Sequence, residues 1–156
     1  MDVYINRDGS IDIEYSFTFI NYGKLDGVDI GLPNRHYDLR SASASVVVDG
    51  DTYPVRKLVK SPYVGIGIAA EFDQIIRNKI EVYGTEFTLH FSVNNPHMVY
   101  INKIEEDSVG VRFRPTWFSS EYQKGYTGLL RARIFFPEGF TEPDEAVHLK
   151  DRPWDS

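Results

Sequence analysis

Apolar and polar side chains alternate with a period of two over much of the chain. Ile11, Ile13, Tyr15, Phe17 and Phe19 are separated by Asp12, Glu14, Ser16 and Thr18, the pattern of a strand with one face buried and the other wet. Val3-Tyr4-Ile5-Asn6 precedes it, and Arg7-Asp8-Gly9-Ser10 lies between. Asp-Gly supplies the positive φ angles of a tight turn, so the spacing predicts a hairpin. Ala44 to Val48, Asp49-Gly50-Asp51 and Thr52 to Lys57 repeat that logic, with Pro54 pushing the second arm towards a sheet edge because it has no N–H for a ladder. Val28 to Pro33 reads as a short edge strand or an extended link.

In Tyr63 to Ala70, Val64, Ile66, Ile68 and Ala70 share one phase and Gly65, Gly67 and Ala69 the other. A strand bare on one side lies against backbone or a large side chain. From Ala69 to Asn78 the pattern fits continued strand and a short helix equally, since Ala69, Phe72 and Ile76 also have helical spacing. Ile80, Val82, Phe87, Leu89, Phe91 and Val93 predict another long half-buried strand running past Gly84. Met98 to Ile101, Val109 to Phe113 and Leu129 to Phe136 complete the set.

Short strands divided by turn residues, without a recurring helical pattern, predict an all-β antiparallel β-sandwich of immunoglobulin-like or jelly-roll-like type with at most one short helix. The expected inward set is Ile13, Tyr15, Phe17, Phe19, Phe87, Leu89, Phe91, Val111, Phe113, Ala132, Ile134 and Phe136, all in the apolar phase of their strands. No proline-glycine run or charge block divides the 156 residues, so residues 1–156 read as one domain. Strand character from Asp2 onwards and the unpunctuated Pro153-Trp154-Asp155-Ser156 suggest a domain excised from a longer chain.

Composition removes several chemistries. There is no cysteine, hence no disulfide, thiolate metal site or cysteine nucleophile. A net charge of −6 with basic residues scattered among acidic ones argues against a nucleic-acid partner, which calls for clustered Lys and Arg. No apolar run reaches the roughly 18 residues a bilayer span needs, so membrane association is expected only through segments outside this chain.

Catalytic and metal motifs are sparse. His36, His90, His97 and His148 are too far apart in sequence for a zinc motif on one element. Asp8 and Asp49 head turns, without the twelve-residue calcium loop. Gly65-Ile66-Gly67 lacks the third glycine and the following helix of a phosphate-binding loop. Neither a Gly-x-Ser-x-Gly elbow nor a helix-start Ser-x-x-Lys is present. No metal or other cofactor is called for. Glu14, Glu71, Asp73, Glu81 and Glu86 could serve glycosidic chemistry if two met across strands at about 5 Å, though most alternate with core residues and read as solvated face.

The unusual stretch runs from Arg114 to Thr127, where Trp117, Phe118, Tyr122 and Tyr126 sit among turn formers. Such aromatics stack on sugars or anchor a protein partner, and they also plug the end of a sandwich. They are the candidate binding residues, and a protein or a glycan is the expected partner class.

Asp2 to Phe19, with its Asp-Gly-Ser turn, followed by Gly27-Val28-Asp29-Ile30-Gly31-Leu32-Pro33 and the later Pro137-Glu138-Gly139-Phe140, resembles the extracytoplasmic N-terminal domain of predicted bacterial and archaeal membrane proteins of unknown function. The resemblance covers about the first third of the chain and that later turn. It implies a β-sandwich displayed outside the membrane and tethered to it in the full-length protein. The resulting expectation is a non-enzymatic extracytoplasmic binding or structural domain. The alternative is a carbohydrate-processing or other hydrolytic module whose carboxylates converge across strands.

Overall fold

The computed structural model describes residues 1–101, 109–113 and 130–139. Its strands are β1 (Asp2–Ile5), β2 (Ile11–Ile20), β3 (Gly27–Gly31), β4 (Asp38–Val48), β5 (Asp51–Pro54), β6 (Lys57–Lys60), β7 (Gly67–Glu71), β8 (Glu86–Asn95), β9 (Val99–Ile101), β10 (Val109–Val111) and β11 (Arg133–Phe135), with one helix, α1 (Gln74–Ile80), between β7 and β8. A six-stranded sheet of order β11-β1-β2-β8-β4-β5 packs on a three-stranded sheet of order β3-β7-β6, and β9 and β10 form a separate hairpin. Among the described residues the fold is all-β and sandwich-like with a single short helix.

The phase of β2 and β8 places the core. Tyr15 pairs with Phe91, Phe17 with Leu89 and Phe19 with Phe87, so the apolar sets of both strands line one face. Ile30, Ile68 and Ala70 of the smaller sheet and Ile76 and Ile80 of α1 close over it. Phe17, Phe19 and Phe113 pack against this core while only partly buried. The other phase of the large sheet points outward.

Both Asp-Gly turns close hairpins, by different geometry. Asp49 and Gly50 both have positive φ, 53° and 83°, as a two-residue hairpin loop of the primed type requires. At the first turn only Gly9 is left-handed, with φ 84°. There the Asp8 carboxylate accepts from the Ser10 N–H and hydroxyl, a side-chain turn that needs no second positive φ.

Several expectations are corrected. Ile80 ends α1, and Val82, 70% exposed, lies in the turn before β8. The helix starts where Asp73 accepts from the Ile76 N–H at 3.0 Å, a cap that stops the strand continuing. Thr52 to Lys57 is not one arm. After Pro54 the chain leaves the six-stranded sheet through Val55 and enters the three-stranded one as β6. Pro54 does close an edge strand, and β3 is likewise an edge.

Val111, Ala132, Ile134 and Phe136 do not face inward: all are exposed. Ile134 is in register with Val3 and shares its inner phase. However, β11 is the rim of the large sheet, whereas the smaller sheet packs through β6 against β4 at the far side. Val111 belongs to the outlying hairpin. The sheet is also not purely antiparallel, because β11 joins β1 in parallel.

Candidate binding face on the six-stranded sheet

Trp117, Phe118, Tyr122 and Tyr126 lie outside the described residues, as does His148. Among the described residues the polar groups gather instead on the outward phase of β1, β2 and β8. Two rows of side chains cross the sheet there. Strand register aligns Phe135, Tyr4, Asp12 and Asn94 in one row, and Arg133, Asp2, Glu14 and Ser92 in the next.

Between the rows opens a cleft of about 410 Å³, lined by Tyr4, Asp12 and Glu14 from the first hairpin, Asn6 from its turn, Ser92 and Asn94 from β8, and Ser41 from β4. Its volume is in the range of small-ligand sites. The wall at Ser41 exists because the β4–β8 register shifts between Asp38 and Ser43, a bulge that bends the strand and re-aims its side chains. Ser41 fixes the bend by donating its hydroxyl to the Asp38 carbonyl at 2.6 Å and accepting the Asn94 N–H at 2.8 Å.

Asp12 is held from two sides. The Asn6 amide donates to one carboxylate oxygen at 2.8 Å and the Asn94 amide to the other at 2.7 Å. Both amides also reach the Ser10 hydroxyl, at 3.0 and 3.5 Å, so the first turn is pinned to β8. At the other end of the row the Tyr4 and Phe135 rings stack, with centroids 4.7 Å apart and planes within 10°.

Asp2 and Glu14 face each other across β1 and β2. Arg133 donates from two nitrogens to the two oxygens of Asp2, Nε at 2.7 Å, and its guanidinium lies 5.6 Å from the Phe135 ring centre. That hydrogen bonding holds the Asp2 carboxyl below its ordinary value and raises Arg133. The Tyr4 hydroxyl is pushed up, first by loss of hydration and then by the neighbouring Glu14 and Asp2 carboxylates. Arg133 is thus spent on Asp2, Arg40 pairs with Asp38, and Arg7 turns away to the Glu138 carbonyl. Asp12 and Glu14 have no cationic partner among the described residues.

The other carboxylates singled out in the sequence do not assemble. Glu71 bridges to Lys57, Asp73 caps α1, Glu86 lies opposite Ile20, and Glu81 follows the helix. No group of three or more His, Asp or Glu side chains with metal-binding geometry occurs among the described residues. His36 and His97 meet edge to face on the surface, and His90 faces outward from β8. No described helix is long and apolar enough to cross a membrane.

No family model matches the chain, and neither a curated protein nor a solved structure matches it. The site therefore rests on its own geometry. The sequence placed Asp12 and Glu14 on the wet phase and offered a role only to Glu14, as one of the candidate glycosidic carboxylates. The readable signal was the concentration of Asn6, Asn94 and Asn95 at the ends of two strands that alternate so cleanly. It becomes a site only through the pairing of residues 82 positions apart.

Proposed function

We propose that this domain is a non-enzymatic binding domain, displayed outside a membrane by a longer anchored chain, and that it takes a protein or glycan partner on the outward face of the six-stranded sheet. The observation that carries the reading is the cleft between Tyr4, Asp12, Glu14 and Asn94: a polar hollow with one aromatic wall on a sheet whose other face is committed to the core. Rigid strands hold its residues, and a concave site with a few convergent polar groups is what binding requires. The exported, tethered setting is supported by the resemblance of residues 2–19 and 27–33 described above.

Hydrolysis across Asp2 and Glu14 would need both carboxyl groups free to meet a sugar, and both Asp2 oxygens are taken by Arg133.

The test fills the hollow. Ser92 is half-buried in the cleft on the outward phase of β8, so Ser92→Trp keeps strand propensity while occupying the space. Peptide and glycan arrays probed with the wild-type domain should give ligands that Ser92→Trp fails to retain, with little change in melting temperature. Ligands retained equally by both proteins would place binding elsewhere.

A further inference from the structure

The unspent hydrogen-bonding capacity of the cleft is one-sided, and this specifies the chemistry of its occupant. We infer that the cleft seats a basic peptide segment of a partner protein, with a lysine or arginine head between Asp12 and Glu14 and against the Tyr4 ring; the inference rests on the binding face proposed above.

Most of the donors are already committed. Asn6 gives its amide hydrogens to Ser10 and Asp12, and Asn94 does the same. Ser41 donates to the Asp38 carbonyl, and Ser92 shares its hydroxyl with Ser43 at 2.8 Å. The acceptors are open. Each Asp12 oxygen accepts one bond and has a second lone pair, the Asn6 and Asn94 amide oxygens face no donor among the described residues, and Glu14 is exposed without an ion pair. Two negative charges about 7 Å apart on alternate residues of one strand therefore stand in a lining whose spare capacity lies mainly in acceptors.

A sugar hydroxyl both donates and accepts, so a neutral glycan asks for donors that this lining has used. A divalent cation is favoured by three or more converging anionic or imidazole ligands, and among the described residues no such group of His, Asp or Glu side chains occurs. An ammonium or guanidinium group only donates, and it gains further from an aromatic face. The domain already holds one cation in this way beside the cleft: Arg133 is forked onto Asp2 and lies over Phe135. Asp2 is in register with Glu14, and Phe135 with Tyr4, so the next strand offers the same carboxylate-and-ring pairing without its own arginine. The net charge of −6 steers a basic segment towards the domain.

The experiment measures binding of a fluorescein-labelled octapeptide of alternating lysine and serine by anisotropy at low salt, with a neutral cello-oligosaccharide as the second probe. Glu14→Gln removes a charge that makes no ion pair, and Glu86→Gln removes one from the same sheet face away from the cleft. The expected result is a Kd raised about fivefold by Glu14→Gln, the upper range for an exposed ion pair, a comparable loss with Tyr4→Leu, and less than about a twofold change with Glu86→Gln. Equal losses in the Glu14 and Glu86 variants would reduce the effect to overall charge and overturn the inference. Binding of the oligosaccharide but not the peptide, abolished by Ser92→Trp, would overturn it while leaving the binding face intact. Ligand binding of any kind that ignores Ser92→Trp would overturn both.

Discussion

Phe91 and His90 are neighbours in sequence and opposites in environment, so truncating each in turn measures the phase of β8. Phe91 is 2% exposed, opposite Tyr15 on β2 and Ala44 on β4, with its ring 5.9 Å from that of Tyr15. His90 points outward between Ser16 and Ser45. Phe91→Ala removes a whole ring from a position flanked by paired strands on both sides, where collapse is restricted, and should cost about 3–5 kcal/mol. With an unfolding entropy of about 2.1 cal/mol/K per residue, that is a fall in melting temperature of roughly 9–15 °C for a chain of this length. His90→Ala should stay within about 0.5 kcal/mol of the parent. Urea titration with a common slope gives both values from the midpoints. A Phe91→Ala cost below about 1 kcal/mol, or a His90→Ala cost as large, would mean that the strand is turned over, and the cleft on its outward phase would go with it.

Other expectations follow from single contacts. The buried Tyr15 hydroxyl has no hydrogen-bond partner among the described residues, so Tyr15→Phe should be neutral or stabilising by up to about 1 kcal/mol; a clear loss in a urea melt would show that the hydroxyl is satisfied. Asn21 is 6% exposed and ties the turn before β3 to the end of α1, donating to the Ile80 carbonyl at 2.6 Å and accepting from the Gly23 N–H at 3.1 Å. Asn21→Ala should cost about 1–3 kcal/mol by leaving that carbonyl unpaired, and an unchanged urea midpoint would contradict the tie. Asp2 is held below its ordinary value of 3.8 by Arg133. Its contribution is therefore complete above that value and is lost as pH falls through the lower folded one. Amide protection at Ile134 and Phe135, corrected for the intrinsic exchange rate, should fall only below about pH 4, and a fall beginning near neutrality would assign the docking of β11 to another group.

Local alternation made the long strands legible. The odd residues of β2 and β8 were readable as a buried face because Ile11 to Phe19 and Glu86 to Asn94 alternate without a break. The switch between sheets at Val55 was hidden because Thr52 to Lys57 reads as one extended segment, and the crossing is set by packing rather than propensity. The phase of Ile134 was readable, but its exposure depends on how far the second sheet reaches. Ile80 and Val82 fit a strand by spacing, and only the Asp73 cap and the Asn21 tie turn that stretch into a helix end and a turn. For the site, the outward position of Asp12 and Glu14 was visible. Their company was not, since Tyr4, Asp12 and Asn94 meet through register between distant strands, and the bulge at Ser41 has no signal in the sequence.

The outward face of the six-stranded sheet is the proposed binding face. Chemical-shift mapping on the ¹⁵N-labelled domain tests it directly, with the alternating lysine-serine octapeptide as titrant. The largest shifts should fall on the amides of Asp12, Glu14, Ser92 and Asn94, while those of Ile30, Ile68 and Ala70 in the smaller sheet stay in place. Shifts concentrated in the smaller sheet, or around the exposed Tyr22 and Tyr83, whose rings lie 5.2 Å apart, would contradict it.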